Sequence, residues 1–190
     1  MAVETHIYDN QFFKNTIEFE AASAASFIDV LLDYYQPRSV VDIGCGAGIY
    51  LQDLERRGIS DLLGIDGAPA ARDEFLLAAD KLLIFDLATR YEFLKKYDLA
   101  LCLEVAEHLE ERDADVLVDT IISAADDIIF TAAVPGQGPR SIGHINEQPH
   151  EYWIEKFKNT NFSDLELRTE EMRQKMKEMG VVRGIVYNLM

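Results

Sequence analysis

Cysteine is scarce in this chain, and so is positive charge. Cys45 and Cys102 are the only two cysteines in 190 residues. Their spacing matches no metal motif, and a domain of this size needs no disulfide framework. They read as buried, reduced thiols. Lys and Arg number 18 against 34 Asp and Glu, a net charge of -16. Such a field repels a nucleic-acid backbone unless a local basic patch overrides it. The sequence holds no such patch: Arg168, Arg173, Lys175 and Lys177 are interleaved with Glu166, Glu170, Glu171 and Glu178, the pattern of a solvated helix face. Anionic membranes are disfavoured for the same reason. No apolar run is long enough to span a bilayer, and Met1 to His6 lacks the basic-then-apolar order of a signal peptide. Internal repeats and low-complexity linkers are also missing. The exclusions leave one cytoplasmic domain over residues 1–190 that acts on a small molecule, with nucleic acid and membrane as poor partners and no statement on oligomeric state.

What is present is an alternation. Apolar residues at Ile17, Ala21, Ala24, Ile28, Leu31 and Tyr35 have helical spacing. They predict an N-terminal helix over Thr16–Tyr35, capped at Asn15 and ended by Pro37. Strands are expected at Ser39–Ile43, Leu62–Ile65, Lys81–Phe85, Leu99–Leu103 and Ile128–Ala132. Helices fall between them at Ile49–Arg57, after Pro69, and through Ala114, Leu117, Val118 and Ile121. This order argues for an α/β fold, a mostly parallel sheet with helices on both faces. The tail breaks the rhythm. Leu165–Leu167 and Val182–Leu189 read as two more strands around a polar helix, the last one an antiparallel edge.

The chemistry gathers where the first strand ends. Val40-Val41-Asp42-Ile43-Gly44-Cys45-Gly46-Ala47-Gly48 is a buried strand running into a glycine turn that opens a helix. Glycines let a ligand lie against bare backbone, and a helix start points free N–H groups at it. The first four strands also end in acids: Asp42, Asp66, Asp86 and Glu104. In open α/β sheets ligands bind beyond those ends. Ionised carboxylates only accept hydrogen bonds, so this rim suits a ligand rich in hydroxyl and amino groups and poor in phosphate. Ile49 stands where a dinucleotide fingerprint needs its last glycine, and there is no Gly-x-x-x-x-Gly-Lys-Ser/Thr loop.

The ordered set formed by residues 40–48, Gly64-Ile65-Asp66-Gly67, Phe85-Asp86-Leu87 and residues 97–109 resembles the class I S-adenosylmethionine-dependent methyltransferases. The resemblance implies a Rossmann-like fold with a seven-stranded sheet whose last strand is antiparallel, and S-adenosylmethionine as cofactor. Asp42, Gly44, Cys45 and Gly46 would hold the methionyl part. Asp66, with Gly67, would take the ribose hydroxyls, Asp86 with the Leu87 backbone the adenine, and Glu104 would line the opposite wall.

Glu104, Glu107 and His108 follow the fourth strand at i, i+3 and i+4, so one helical turn puts them on one face. Two oxygens and an imidazole suit a divalent metal. The Glu-x-x-Glu-His spelling is similar to the metal-binding stretch of ubiquinone-pathway O-methyltransferases and of small-RNA 2′-O-methyltransferases. The same letters also serve without metal, with Glu107 and His108 as a cap and a hydrogen-bonded wall, or with His108 as a base. The metal-free reading is the expectation here, with His108 and His144 as acid–base candidates.

Residues 134–153 form the second unusual region. Pro135-Gly136-Gln137-Gly138-Pro139 opens it, and a polar, aromatic run from His144 to Trp153 follows. The stretch is similar to the segment after the fifth strand of small bacterial methyltransferases, which lies over the acceptor pocket. His144, Asn146 and Glu147 are expected substrate contacts. Tyr152 and Trp153 are expected to pack a helix started by Pro149, and His144 could add a further metal ligand. Residues 1–37 are an N-terminal helical segment in which Tyr8, Phe12 and Phe13 serve either as core or as a lid, while His6 is an ordinary surface residue. The expected reaction is methyl transfer to a small polar acceptor, at oxygen in preference to nitrogen. The rival readings are a dinucleotide-binding oxidoreductase, a non-catalytic S-adenosylmethionine-binding module, and a metal-assisted RNA methyltransferase.

Overall fold

The computed structural model describes residues 7–136, 142–160, 162–163 and 166–190. His6, the Gln137–Pro139 part of the glycine-rich opening, and Leu165 lie outside the described residues. The strands are β1 (Ser39–Ile43), β2 (Asp61–Asp66), β3 (Leu82–Ile84), β4 (Leu99–Leu103) and β5 (Ile128–Thr131). They form one sheet in the order β3-β2-β1-β4-β5, with every neighbouring pair parallel. All five carboxyl ends therefore share one rim. β1 and β4 match the sequence expectation residue for residue, because a wholly buried parallel strand is a short apolar run with sharp polar borders.

Seven helices flank the sheet among the described residues: α1 (Asn10–Tyr34), α2 (Ile49–Arg56), α3 (Ala71–Glu74), α4 (Ala114–Ala124), α5 (His150–Lys158), α6 (Glu166–Glu178) and α7 (Arg183–Asn188). Side chains alternate across a strand, so β4 feeds two cores. Leu99, Leu101 and Leu103 face α1, α2, α6 and α7 together with Phe27, Leu31 and Leu54. Ala100 and Cys102 face α4 and α5, with Leu117, Ile121 and Trp153. No helix of the described residues is long and apolar enough to cross a membrane.

Two expectations are corrected. Helix α1 begins six residues before Thr16, and Asp9 caps it, not Asn15: its carboxylate accepts from the Phe12 N–H at 2.8 Å. The sheet has five strands among the described residues rather than seven, since both tail strands are replaced by helix. Glu166 and Leu167 open α6, and Leu167 is solvent-exposed. Ile185 and Val186 have strand-like side chains, yet a short helix turns both to the core beneath α1, and Leu189, just past its end, joins them there. Only a remnant of the antiparallel edge survives: Leu189 bridges Thr131, and the Met190 N–H donates to the Phe130 carbonyl at 3.0 Å.

Candidate active site

The rim carries a cavity of about 590 Å³, within the size of small-ligand sites. Its floor is the turn after β1. Gly44, Gly46 and Gly48 all have positive φ. A methyl group on Gly44 would sit 2.2 Å from Val105 Cγ2, so the close approach of the β1 and β4 ends requires glycine there. Asp66 ties the turn to β2. Its Oδ2 accepts from the Gly46 N–H at 2.7 Å and its Oδ1 from the Ala68 N–H at 2.8 Å. Each oxygen keeps lone-pair capacity for a ligand hydroxyl. Burial raises the Asp66 pKa, and the two backbone bonds pull it back.

Glu20, Asp42, Asp66, Asp86 and Glu104 line the cavity, and no Lys or Arg does among the described residues. Asp42 is buried, and its Oδ2 has no partner among the described residues. Burial, then the charge of Asp66, pushes its carboxyl up to about 8. Glu104 has φ 55, the one positive value outside glycine among the described residues. Such a conformation costs of order 1–3 kcal/mol and persists only where surroundings enforce it. Here the Glu104 N–H donates to the Thr131 carbonyl and hydroxyl, at 3.1 Å and 2.9 Å, while the Asn188 amide donates to both carboxylate oxygens. Cys45, Gly67, Asp86 and Leu87 complete the expected cofactor set on the lining.

The two candidate histidines also line the cavity, and their rings meet edge to face with centroids 4.8 Å apart. His108 Nδ1 lies 2.7 Å from the Tyr8 hydroxyl and 3.2 Å from the Gly143 carbonyl oxygen. Burial lowers its pKa to about 4, against the opposing Gly143 carbonyl, so the ring is neutral at pH 7. His144 Nδ1 is 3.0 Å from Glu147 Oε1. Glu107 is fully buried beneath them. Its Oε1 accepts from the Ala133 N–H at 3.1 Å, and its main-chain oxygen accepts from the N–H groups of Ile145 and Asn146. Burial, then Glu104, raises the Glu107 carboxyl to about 8.

Asn146 and Glu147 are not on the cavity lining. Asn146 is buried and its side-chain oxygen accepts from Gln148, while Glu147 supports His144 and accepts from the Gly136 N–H. Trp153 is packed in the core, as its sequence context predicts. Of the metal trio read from spacing, Glu107 and His108 come together, but the third member is His144 rather than Glu104. The segment after Glu104 forms a 3-10 turn at Ala106–His108 rather than an α-helical face, and Glu104 turns to Asn188. Glu20 and Tyr50 on the lining have no distinguishing signal in the sequence: both sit on ordinary amphipathic helices.

The comparisons with known proteins agree with this geometry. A family model described as a methyltransferase domain matches residues 17–167. A ubiquinone biosynthesis O-methyltransferase of Neisseria meningitidis serogroup C is 28% identical over 118 residues, which is 57% of this chain and 48% of that protein. The protein of the same description from Acinetobacter baylyi is 24% identical over 174 residues, 80% of this chain and 68% of that one. The chain thus spans about half the length of the Neisseria relative. A chain in the complex of the Haloferax volcanii Trm112 methyltransferase activator with its proposed methyltransferase superposes with TM-score 0.63 at 16% identity, covering 84% of this chain and 76% of that one. That likeness is one of fold. With the family model spanning most of the chain, the protein belongs to the methyltransferase-domain family, in its class I S-adenosylmethionine-dependent branch.

Proposed function

We propose that this chain transfers a methyl group from S-adenosylmethionine to a hydroxyl of a small acceptor in the cytoplasm, with residues 1–190 working as one domain. The observation that carries the reading is the pair of touching histidines set in the same cavity as the glycine turn. The O-methyltransferase description of the two relatives supports oxygen as the target.

The lining fits the cofactor. A cationic sulfonium and an ammonium group suit a cavity with five acids and, among the described residues, no Lys or Arg, and the buried Oδ2 of Asp42, without a partner among those residues, is a polar atom that a ligand group would satisfy. Gly44 and Gly46 cradle the methionyl part, Asp66 takes the ribose hydroxyls, Asp86 and Leu87 flank the adenine, and Glu104 closes the far wall. Tyr8, Phe12 and Phe13 line the same space from the N-terminal segment and act as its lid. When bound, the cofactor supplies an activated methyl carbon: an O–C bond forms, the C–S bond breaks with its electron pair left on sulfur, and the acceptor releases a proton. Positioning the two reactants is worth roughly 7–11 kcal/mol. A base for the released proton adds about 10²–10⁴-fold, and we assign that role to His144, whose ring is held by Glu147. Asn146 and Glu147 shape the acceptor side from behind the histidines.

A second reading has one observation in its favour. Ligand atoms of Glu107, His108 and His144 lie within 4.8 Å of one another, and Glu107 Oε2 is buried without a partner among the described residues. One oxygen and two imidazoles suit a divalent cation, whose contribution would be to lower the pKa of the acceptor hydroxyl. We favour the metal-free form because His108 Nδ1 is engaged by Tyr8. Turnover that survives exhaustive chelation supports it; turnover lost to chelator and restored by Mg²⁺ or Mn²⁺ reverses the preference.

The test is incubation with S-adenosylmethionine and a metabolite pool, read as a mass gain of one methyl group. S-adenosylhomocysteine should raise the melting temperature and NAD(P) should not. His144→Ala should keep cofactor affinity and lower turnover about 10²–10⁴-fold. Stabilisation by NAD(P) alone overturns the proposal. Cofactor binding with no methylated product points instead to a binding module.

A further inference from the structure

Two side chains of the same type face one cavity, and their Nδ1 atoms are held by partners of opposite kind. The partner of His144 Nδ1 is a carboxylate oxygen of Glu147, at 3.0 Å. A carboxylate accepts, so the proton sits on Nδ1, and in the neutral ring that leaves the lone pair on Nε2 to act as a base.

His108 has two claimants on Nδ1. The Gly143 carbonyl at 3.2 Å can only accept, which requires a proton on Nδ1. The Tyr8 hydroxyl at 2.7 Å can donate, which requires a bare Nδ1. The two partners ask for opposite tautomers. Distance favours Tyr8, since 2.7 Å is a full-strength contact for a hydroxyl donor and 3.2 Å is at the long end for N–H to oxygen. Satisfaction favours it as well. Tyr8 keeps its proton at any ordinary pH, its pKa being raised to about 12 by burial and then by Glu107 and Asp66. Among the described residues, His108 Nδ1 is the acceptor within reach of that proton. If Nδ1 were protonated, the phenol proton would be stranded in a half-buried site.

Gly143 is built for this contact. Its φ is +77°, and a methyl group there would lie 2.5 Å from the Tyr8 hydroxyl and 3.4 Å from His108 Nδ1. A residue without a side chain leaves the phenol its place against the imidazole.

We propose that Tyr8 and Glu147 set the two histidines in opposite tautomers, so that His144 Nε2 takes the acceptor's proton while His108 Nε2–H donates a hydrogen bond that orients the acceptor's oxygen. Tyr8 is then a positioning residue that acts through His108 and ties the state of the N-terminal segment to the chemistry of the site. The acceptor part of this statement rests on the methyl-transfer reading; the tautomer part stands without it.

The test is long-range ¹⁵N–¹H correlation of the imidazoles in the full-length protein at neutral pH, which reports the nitrogen that carries the proton. Signals are assigned with His108→Gln and His144→Gln. The wild type should show His108 protonated on Nε2 and His144 on Nδ1. Tyr8→Phe keeps the ring and removes the donor, leaving Gly143 as the partner of His108, so the His108 pattern should invert and the His144 pattern should not. Gly143→Ala should give the same inversion by pushing the phenol away. His108 protonated mainly on Nδ1 in the wild type, or an unchanged pattern in Tyr8→Phe, overturns the proposal. S-adenosylhomocysteine titration accompanies the spectra. If neither protein binds it, the methyl-transfer reading fails while the tautomer result is still decided. With an acceptor in hand, Tyr8→Phe should lower kcat about tenfold, the value of one hydrogen bond of about 1.4 kcal/mol, with the KM for S-adenosylmethionine unchanged.

Discussion

Asp66 does two jobs with one carboxylate. It holds the glycine turn through Gly46 and Ala68, and in the proposed function it also accepts from the ribose hydroxyls. Asp66→Ala should therefore abolish measurable S-adenosylhomocysteine binding, a loss of at least about 10–100-fold for one charged hydrogen bond, while circular dichroism shows the fold retained. Unchanged affinity in calorimetry would remove Asp66 from the cofactor site. Asp42 makes a different statement, about pH. Its carboxyl has an ordinary pKa in the unfolded chain and about 8 in the native one. Between those values the unfolded chain gives up a proton that the native chain keeps. Stability from this group thus falls as pH rises through that window and levels off above about 8. The slope is at most about 1.4 kcal/mol per pH unit for one group. Asp42→Asn should flatten the decline in melting temperature between pH 6 and 8, taken as roughly the upper half of the window; identical slopes in the two proteins would contradict the assignment. The residue scale is also where sequence reading reached least far. Glu107 and His108 are legible as chemistry, but which of Glu104 and His144 joins them depends on a 3-10 turn and on a segment 35 residues further along. Spacing cannot carry that information.

At the scale of elements, the β1–turn–α2 unit is the part most clearly written in the sequence. Five buried strand residues, three glycines with positive φ and a helix opened at Gly48 follow from steric rules acting over a few residues. Gly44→Ala combines a left-handed φ with a methyl 2.2 Å from Val105. It should cost about 2–5 kcal/mol, the left-handed penalty plus overpacking, seen as a lower midpoint in urea unfolding. A wild-type midpoint would show that β1 and β4 can part at no cost. The tail elements behave in the opposite way. Val182, Ile185, Val186 and Tyr187 have the composition of a strand, and β-propensity describes fit to a half-buried pleated surface more than an intrinsic backbone choice. Here the available surface is the helical layer over β1 and β4, and a short helix delivers Ile185 and Val186 to it.

On the scale of the whole molecule, the sheet separates two cores that share strands but not side chains. Ile28 lies in one and Ile121 in the other, both fully buried. Ile28→Val and Ile121→Val should each destabilise by about 0.5–1.5 kcal/mol. Their effects should add within about 0.5 kcal/mol, and a larger coupling in the double variant would mean that the sheet transmits repacking between layers. The same layering explains the site. Only the shared rim of parallel carboxyl ends gathers residues from β1, β2, β4, α1 and the loop before α5 around one cavity.

The methyltransferase reading came from the resemblance of an ordered set of motifs to a known family, whereas the sequence by itself determined the alternation of strands and helices, the glycine turn and the acids at the strand ends. Each of these is set by forces that act within a few residues: pleat and helix periodicity, φ restrictions, the polarity step at a strand border. The tertiary structure decided what meets across the chain. It brought Tyr8 to His108 over 100 positions and Asn188 to Glu104 over 84. It also made the tail helical and put Glu147 behind His144. Those outcomes depend on the path of the whole backbone and on which buried groups still need partners once the core has closed, and no local pattern records either.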